Sequence, residues 1–521
     1  MLSLLIWIPI AAAGAIALVP SQFSAKQVRS MAAIASTISF VLSLWLIAQF
    51  DLTNPGFQFE ENMPWLEWLG LNYQLGADGL SISLLVLNGL LTLIAIFSSS
   101  ATLERPRMFY SLVLLASGGI AGAFLAQNLL LFFLFYELEL IPFYLLISIW
   151  GGAKRSYAAT KFLIYTAVSG ALVLVAFLGL VWLSGASTFG YEALLGQALP
   201  MSLQLVLLGL LLVGFGIKIP LVPFHTWLPD TYVEASAPVT ILLGGLLAKL
   251  GAYGIFRFGL GLFPDAWGKL APWLAIWAAI SIMYGALGAI AQKDIKRMVA
   301  YSSIGHMGYI LLGGAALTPL AMVGAVSQMV AHGLILAILF NLVGLIEEKV
   351  GTRDLDVLNG LMNPVRGLPA VSSLLVVGAM ASAGIPGLAG FVAEFLIFQG
   401  SYAVFPVQTL LAVVGTGLTA VYFVILLNRT CFGKLDNKTA YYPNVSVAEK
   451  APALVLAGIV LFLGLQPTWL VRWSESTTKV MVAAVPSMET TADIVPASAP
   501  ALKPFVMPEP AIAQLNTPTQ P

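Results

Sequence analysis

The sequence is poor in everything that redox or metal chemistry consumes: across 521 residues it has one cysteine, Cys431, and three histidines. A single cysteine excludes an internal disulfide, and it excludes an iron-sulfur cluster or a structural zinc held by this chain alone. No phosphate-cradling glycine loop and no flavin signature occurs, so any electron transfer tied to this protein runs on other polypeptides and the chain itself carries no cofactor and no metal. Charge is scarce too, at 9% of residues, and the 24 basic and 24 acidic side chains cancel. That balance gives no basis for binding nucleic acid. A soluble globular protein carries about 25% charged residues. Here 59% of residues are hydrophobic and the mean hydropathy is +0.93, which is the composition of an integral membrane protein.

What is present is a succession of apolar runs of spanning length. Bounded by charges or by Pro/Gly clusters, they predict an all-α polytopic membrane protein of about 14 transmembrane helices. The helices fall near residues 2–20, 31–50, 79–99, 109–126, 129–150, 158–184, 204–223, 237–260, 271–291, 297–314, 318–345, 371–400, 405–428 and 451–471. The first lacks a basic leader and is nearly long enough to span, so it reads as a retained helix rather than a signal peptide. One transmembrane domain over 1–472 is expected, followed by a Pro/Ala-rich tail over 473–521. Of the 24 basic residues, seventeen fall in alternate loops on one side, including Lys26, Arg29, Arg105, Arg107, Lys296, Arg297, Arg353 and Lys438. The opposite side keeps five, among them Arg257, and carries Asp51, Glu60, Glu61, Glu67 and Asp78. The positive-inside rule puts the first side in the cytoplasm and both termini on the other side.

A few ionisable groups sit inside these runs, where Asp, Lys or Arg at a helix centre costs roughly 2.5 to 3.5 kcal/mol on insertion scales. They are Glu137 and Glu139 in LFFLFYELELIPF, Lys218 in GFGIKIPLVPFHTWLPD, Lys249 in ILLGGLLAKLGAYG and Glu394 in GFVAEFLIFQG, joined by His306 and His332. A lysine near a span end can snorkel to the headgroups. Pro220 and Pro223 argue otherwise for Lys218, because each proline removes a backbone donor, which is tolerable at membrane depth only against protein or water. Glu137 and Glu139 lie about 200° apart around a regular helix and cannot both face one site. Glu137 is placed inward, facing Lys218, and Glu139 is secondary.

Gly384, Pro386, Gly387 and Gly390 interrupt the twelfth run just before Glu394, as the prolines interrupt the seventh. Paired broken helices in corresponding positions predict two inverted five-helix repeats, with broken helices 7 and 12 and the transported species near the midplane. Side chains that exchange protons are what this interior offers.

The segments FYELELIPFYLLISIWGG, IKIPLVPFHTWLPDTYVEASAPVTILLGGLLAKLGAYG, DIKRMVAYSSIGHMGYILLG and GIPGLAGFVAEF, in that order, resemble the antiporter-like membrane subunits of complex I, relatives of the multisubunit Na⁺/H⁺ antiporters. The resemblance runs from about residue 70 to 470. It implies that Glu137 and Lys218 are the family's glutamate-lysine pair, Lys249 its central lysine, and His306 and His332 its axis histidines, with His225, Asp230 and Glu234 as secondary participants. Glu394, where sister subunits carry lysine, resembles the M type, in the form found in cyanobacteria and chloroplasts. That form implies a proton-translocating subunit of a thylakoid NAD(P)H dehydrogenase-like complex passing electrons from ferredoxin or NAD(P)H to plastoquinone. Iron-sulfur clusters and quinone would belong to partner subunits. The partners would be L/F-type and N/B-type membrane neighbours, lipids and, indirectly, a peripheral redox arm. Two further members of the resemblance stay open: a subunit of a gradient-driven Na⁺/H⁺ antiporter, and an M-type subunit of a bacterial respiratory complex using ubiquinone or menaquinone. Outside it stands a scaffold whose buried charges only fix helix register.

Overall fold

The computed structural model describes residues 1–20, 22–100, 102–434 and 442–486; Lys438 and the tail from 487 onward lie outside the described residues. Two helices open the chain, α1 (Leu2–Leu18) and α2 (Ala25–Gln49), and a hairpin of β1 (Gln58–Leu66) and β2 (Leu71–Ala77) follows. Then come α3 (Ile82–Phe97), α4 (Pro106–Leu125), α5 (Leu129–Leu138), α6 (Leu140–Trp150), α7 (Arg155–Ser184), the single turn α8 (Tyr191–Leu194), α9 (Met201–Lys218) and α10 (Trp227–Glu234). Next, α11 (Ala237–Leu242) and α12 (Ala248–Gly254) are joined and continued by the π-turns Leu243–Leu247 and Ile255–Leu260. The second half holds α13 (Pro264–Ile290), α14 (Ile295–Ala315), α15 (Pro319–Val350), α16 (Pro369–Ser382), α17 (Ala389–Tyr402), α18 (Pro406–Thr430), α19 (Val447–Leu465), α20 (Thr468–Val471) and α21 (Glu475–Ala483).

Taken as crossings, with α5–α6, α9–α10, α11–α12 and α16–α17 each counted once, the described residues make fourteen, matching the sequence. Ten are long and apolar enough to cross a membrane by length and composition. Of the others, α1 and α3 are short, α14 carries Lys296, Arg297 and His306, and α16–α17 is divided. Helix starts are set by side chains that satisfy orphan N–H groups: Asn128 caps α5, Asp294 caps α14, and Ser24 and Ser446 form capping boxes on α2 and α19. The two broken crossings run in opposite directions, α9–α10 toward the face that holds Arg353 and α16–α17 away from it. An inverted pair requires this.

The freed backbone at the α9–α10 break is satisfied by protein, as membrane depth demands. Trp227 donates its indole N–H to Ile217 O at 2.8 Å, Trp277 does the same to Val222 O, and Ser281 Oγ accepts from Val222 N at 3.2 Å. At the other break Gly384 takes a φ of 71°, open to glycine, with Thr416 and the Glu394 carboxylate against it. α13 and α14 meet backbone to backbone: a Cβ on Gly285 would lie 2.9 Å from Gly305 Cα. Cys431, the C-cap of α18, is buried.

Two features depart from the sequence expectation. The acidic loop after α2 folds into the antiparallel β1–β2 hairpin, tied down where Gln127 N donates to Gln74 O at 2.8 Å and Asn128 Nδ2 to Gly70 O at 3.0 Å. Asp78 and Arg257, expected among loop charges, are instead a buried ion pair at 2.6 Å. The Phe57, Tyr191 and Tyr253 rings surround the guanidinium at 4.9 to 5.4 Å. The second π-turn carries Arg257 inward, and sequence periodicity does not reveal such a turn.

Candidate functional site

Lys218 is the last residue of α9 and is 2% exposed. Its ammonium forms an ion pair with the Glu139 carboxylate, which is equally buried. It donates to Tyr136 O at 3.3 Å and stands over the Tyr136 ring at 3.3 Å from the centroid. Tyr136 is itself pinned, its hydroxyl 2.8 Å from Ser169 Oγ, which donates to Gly214 O at 2.7 Å. Glu139, not Glu137, is thus the carboxylate in contact with Lys218. Glu137 is half-buried and points at α7, where a Cβ on Gly170 would collide with its carboxylate.

The helix divides at Glu139 because Pro142 supplies no N–H to Leu138 O and its ring crowds that carbonyl. The 200° separation placed the two carboxylates on different sides, as they are. Spacing held no information on which of the two sides faced Lys218. The π-cloud of Tyr136 was missed altogether, although an aromatic beside a buried lysine is a recognisable cation partner.

Lys249 lies on α12 between the two π-turns and is fully buried. The π-turn is an insertion into the α-helical ladder often found at functional sites. Lys249 Nζ reaches Gly244 O at 2.5 Å and His332 Nδ1 at 2.9 Å. The His332 and His306 rings lie 5.0 Å apart. His306 Nδ1 is 3.3 Å from Glu394 Oε1 and from Gln328 Nε2, while its Nε2 is 3.0 Å from Ser382 Oγ. Thr416 donates to the second carboxylate oxygen of Glu394 at 2.9 Å. Lys249, His332, His306 and Glu394 are therefore one contiguous row, all buried. Between Lys218 and Lys249 there is close packing rather than a bond: a Cβ on Gly251 would be 3.2 Å from Lys218 Cβ. Among the buried side-chain atoms that find no protein partner are His332 Nε2, Gln328 Oε1 and Ser303 Oγ.

The three secondary residues do not join this row. His225 is buried in the α9–α10 break, its ring 4.6 Å from that of Tyr284. Asp230 pairs with Lys161 at 2.8 Å and Arg297 at 3.2 Å, and Glu234 accepts from Lys154 N at 2.7 Å. These last two tie α10 to the basic face, beside a cavity of about 890 Å³ lined by Arg29, Glu234, Lys296, Glu347, Arg353 and Glu449 among others. Among the described residues no group of three or more His, Cys, Asp or Glu side chains is placed to hold a metal ion.

Residues 126–419 match the family model described as NADH:quinone oxidoreductase/Mrp antiporter, TM. The NAD(P)H-quinone oxidoreductase chain 4 of Acaryochloris marina is 39% identical over 496 residues, covering 93% of this chain and 92% of that protein. A chain of respiratory complex I from Thermus thermophilus superposes with a TM-score of 0.85 at 30% identity, over 94% of this chain and 100% of that one. A chain of the Mrp complex from Dietzia sp. shares the fold, with a TM-score of 0.84 at 23% identity over 93% and 98% of the two chains.

Proposed function

We infer a proton route from one premise: the chain belongs to the NADH:quinone oxidoreductase/Mrp antiporter transmembrane family and is a proton-translocating membrane subunit of an NAD(P)H-quinone oxidoreductase. The route has two stations. At the first, Glu139 and Lys218 hold or release a proton together. Lysine suits this role because burial disfavours the ammonium and a neighbouring carboxylate favours it, whereas arginine never gives its proton up. At the second, Lys249, His332, His306 and Glu394 pass protons along the interior. Glu137, two residues before Glu139 on α5, tunes the first station, and His225 lies in the break that gives it room. Asp230 and Glu234 hold α10 in place.

The observation that carries the proposal is the buried row in which Lys249 Nζ meets His332 Nδ1, the His332 and His306 rings lie 5.0 Å apart, and His306 Nδ1 faces Glu394. Each member of that row can bind and lose a proton, and imidazole does both near neutrality. Protons move as coupled titrations, so each step changes the affinity of the next group. Energy arrives from redox chemistry on partner subunits, where iron-sulfur clusters and quinone reside, through neighbouring L/F-type and N/B-type membrane subunits.

We further place the basic face in the cytoplasm, by the excess of Lys and Arg in its loops, and the N-terminus, with α20 and α21, on the opposite side. The cyanobacterial relatives favour a thylakoid membrane and plastoquinone as the acceptor.

The test is Lys249→Met in the assembled complex, which keeps the helix and its volume while removing the titrating group. Proton pumping in sealed vesicles is expected to fall about a hundredfold or more, the usual scale for a lost proton-transfer group. Pumping at the native rate would refute the route.

A further inference from the structure

Glu394 has two oxygens with two different neighbours. Oε1 faces His306, and Oε2 accepts from Thr416. Behind Thr416 lies a row of hydroxyls that the route above does not use. Thr416 Oγ1 is 3.0 Å from Tyr309 OH. The Thr419 hydroxyl lies beside Tyr309 without a hydrogen bond between them at rest, Tyr309 donating to Ala412 O at 3.1 Å. Tyr422 OH donates to Thr419 Oγ1 at 3.3 Å, and the Ser302 hydroxyl, which at rest donates to Val299 O at 2.8 Å, lies beside Tyr422. Ser302, Tyr309, Thr419 and Tyr422 are all buried.

The row has a direction. α14 begins at the basic face, where Asp294 caps it and pairs with Arg353, and α18 ends there, where Arg429 pairs with Asp356. From Tyr309 back to Ser302 on α14 is seven residues, about 10 Å, and Ser302 is about another 10 Å from the start of that helix. Glu394 lies beyond the break in crossing twelve, on the half α17 that runs toward the opposite face. The hydroxyls therefore lead from Glu394 back toward the basic face. Two settled donors point along the row, Tyr422 to Thr419 and Thr416 to Glu394, while Thr419 and Tyr309 at rest donate to the backbone carbonyls of Gly415 and Ala412.

We propose that Ser302, Tyr422, Thr419, Tyr309 and Thr416 form a proton relay that loads Glu394 from the basic face, independently of the histidine row. The inference rests on Glu394 being a proton site in the proposed function. A proton taken up by Tyr422 OH, from Ser302 or from water beside it, lets Tyr422 pass its own proton to Thr419. Thr419 swings from its resting acceptor, Gly415 O at 3.0 Å, and passes one to Tyr309. Tyr309 passes one to Thr416, and Thr416 passes one to the Glu394 carboxylate. One proton enters, one is bound at Oε2, and every hydroxyl ends with the proton count it began with. The hydroxyls then rotate back. Glu394 is in this way a junction whose two oxygens serve two supplies.

The experiment uses the assembled complex in liposomes and follows the Glu394 carboxyl stretch by infrared difference spectroscopy after a pH jump applied on one side. Glu394→Gln identifies the band. Tyr422→Phe and Thr419→Val are expected to slow Glu394 protonation after a jump on the basic side by about tenfold or more. A jump on the opposite side should be answered at the native rate, and Thr419→Ser, which restores the hydroxyl, should recover the basic-side rate. A purely structural role for these side chains would slow both sides alike, and that result overturns the relay. So would native basic-side kinetics in Thr419→Val, which decides the matter if Tyr422→Phe fails to assemble. Native pumping in Glu394→Gln would instead overturn the proposed function and take the relay with it.

Discussion

Neutralising Glu139 leaves the Lys218 ammonium buried without its carboxylate. Removing one member of a buried ion pair costs about 3 to 5 kcal/mol, most of it the burden of the orphaned charge. Two contacts soften the loss, the Tyr136 carbonyl at 3.3 Å and the Tyr136 ring at 3.3 Å. A cation over an aromatic face contributes about 2 kcal/mol when desolvated. The expected destabilisation by Glu139→Gln is therefore at the low end, about 3 kcal/mol. Lys218→Ala orphans Glu139 in the same way and should cost a similar amount.

The double variant orphans neither charge. It should assemble better than either single one, giving a coupling of about 2 kcal/mol, within the range for residues in contact. The Glu137→Gln and Lys218→Ala cycle should couple more weakly, since Glu137 lies against Gly170. The assay is the fraction of fully assembled complex against temperature, with pumping rate measured on the same preparations. Additive losses for Glu139 with Lys218, or stronger coupling for Glu137, would refute the assignment of Glu139 as the direct partner.

Three further outcomes follow from other sites. Glu394→Lys should keep more pumping than Glu394→Gln, because lysine still exchanges protons beside His306 and glutamine does not; pumping in vesicles decides it, and the reverse order would contradict the role. Asp78→Asn should lower the thermal stability of the complex by about 3 kcal/mol, the cost of an orphaned buried charge, and adding Arg257→Met should recover part of it. On the basic face, the hydrogen bond and charge of Lys293 hold the Asp356 carboxyl below its ordinary range. A depressed folded value means the contact is fully present above the unfolded value and is lost as pH falls through the folded one. Limited proteolysis should therefore open the 351–368 loop only below about pH 4, and Asp356→Asn should open it at neutral pH.

The positions of the crossings were legible because each apolar run had to satisfy its backbone internally and be bounded by charge, proline or glycine. The breaks at Pro220 and Gly384 were legible for the same reason, since prolines and glycines punctuate otherwise helical text. Lys249, His306, His332 and Glu394 stood out as polar side chains in apolar surroundings, and the fold brings them together. Less visible was anything that depends on azimuth. The choice between Glu137 and Glu139 turned on which side of a helix faced α9, and the Asp78–Arg257 pair turned on a π-turn that rotates Arg257 inward. The Tyr309, Thr416, Thr419 and Tyr422 hydroxyls are ordinary in a membrane helix until two helices place them in register.

The burial of Cys431 has a practical meaning. The native chain already carries a single shielded thiol, so no background substitutions are needed before new cysteines are introduced one at a time. A cysteine at Glu67, on the hairpin side, and one at Lys26, on the basic side, would each be the lone reactive group that this chain presents to a membrane-impermeant maleimide. In sealed vesicles of known sidedness the two should label in mutually exclusive preparations. That pattern would report the topology of the whole bundle from two positions, without disturbing any residue along the proton route.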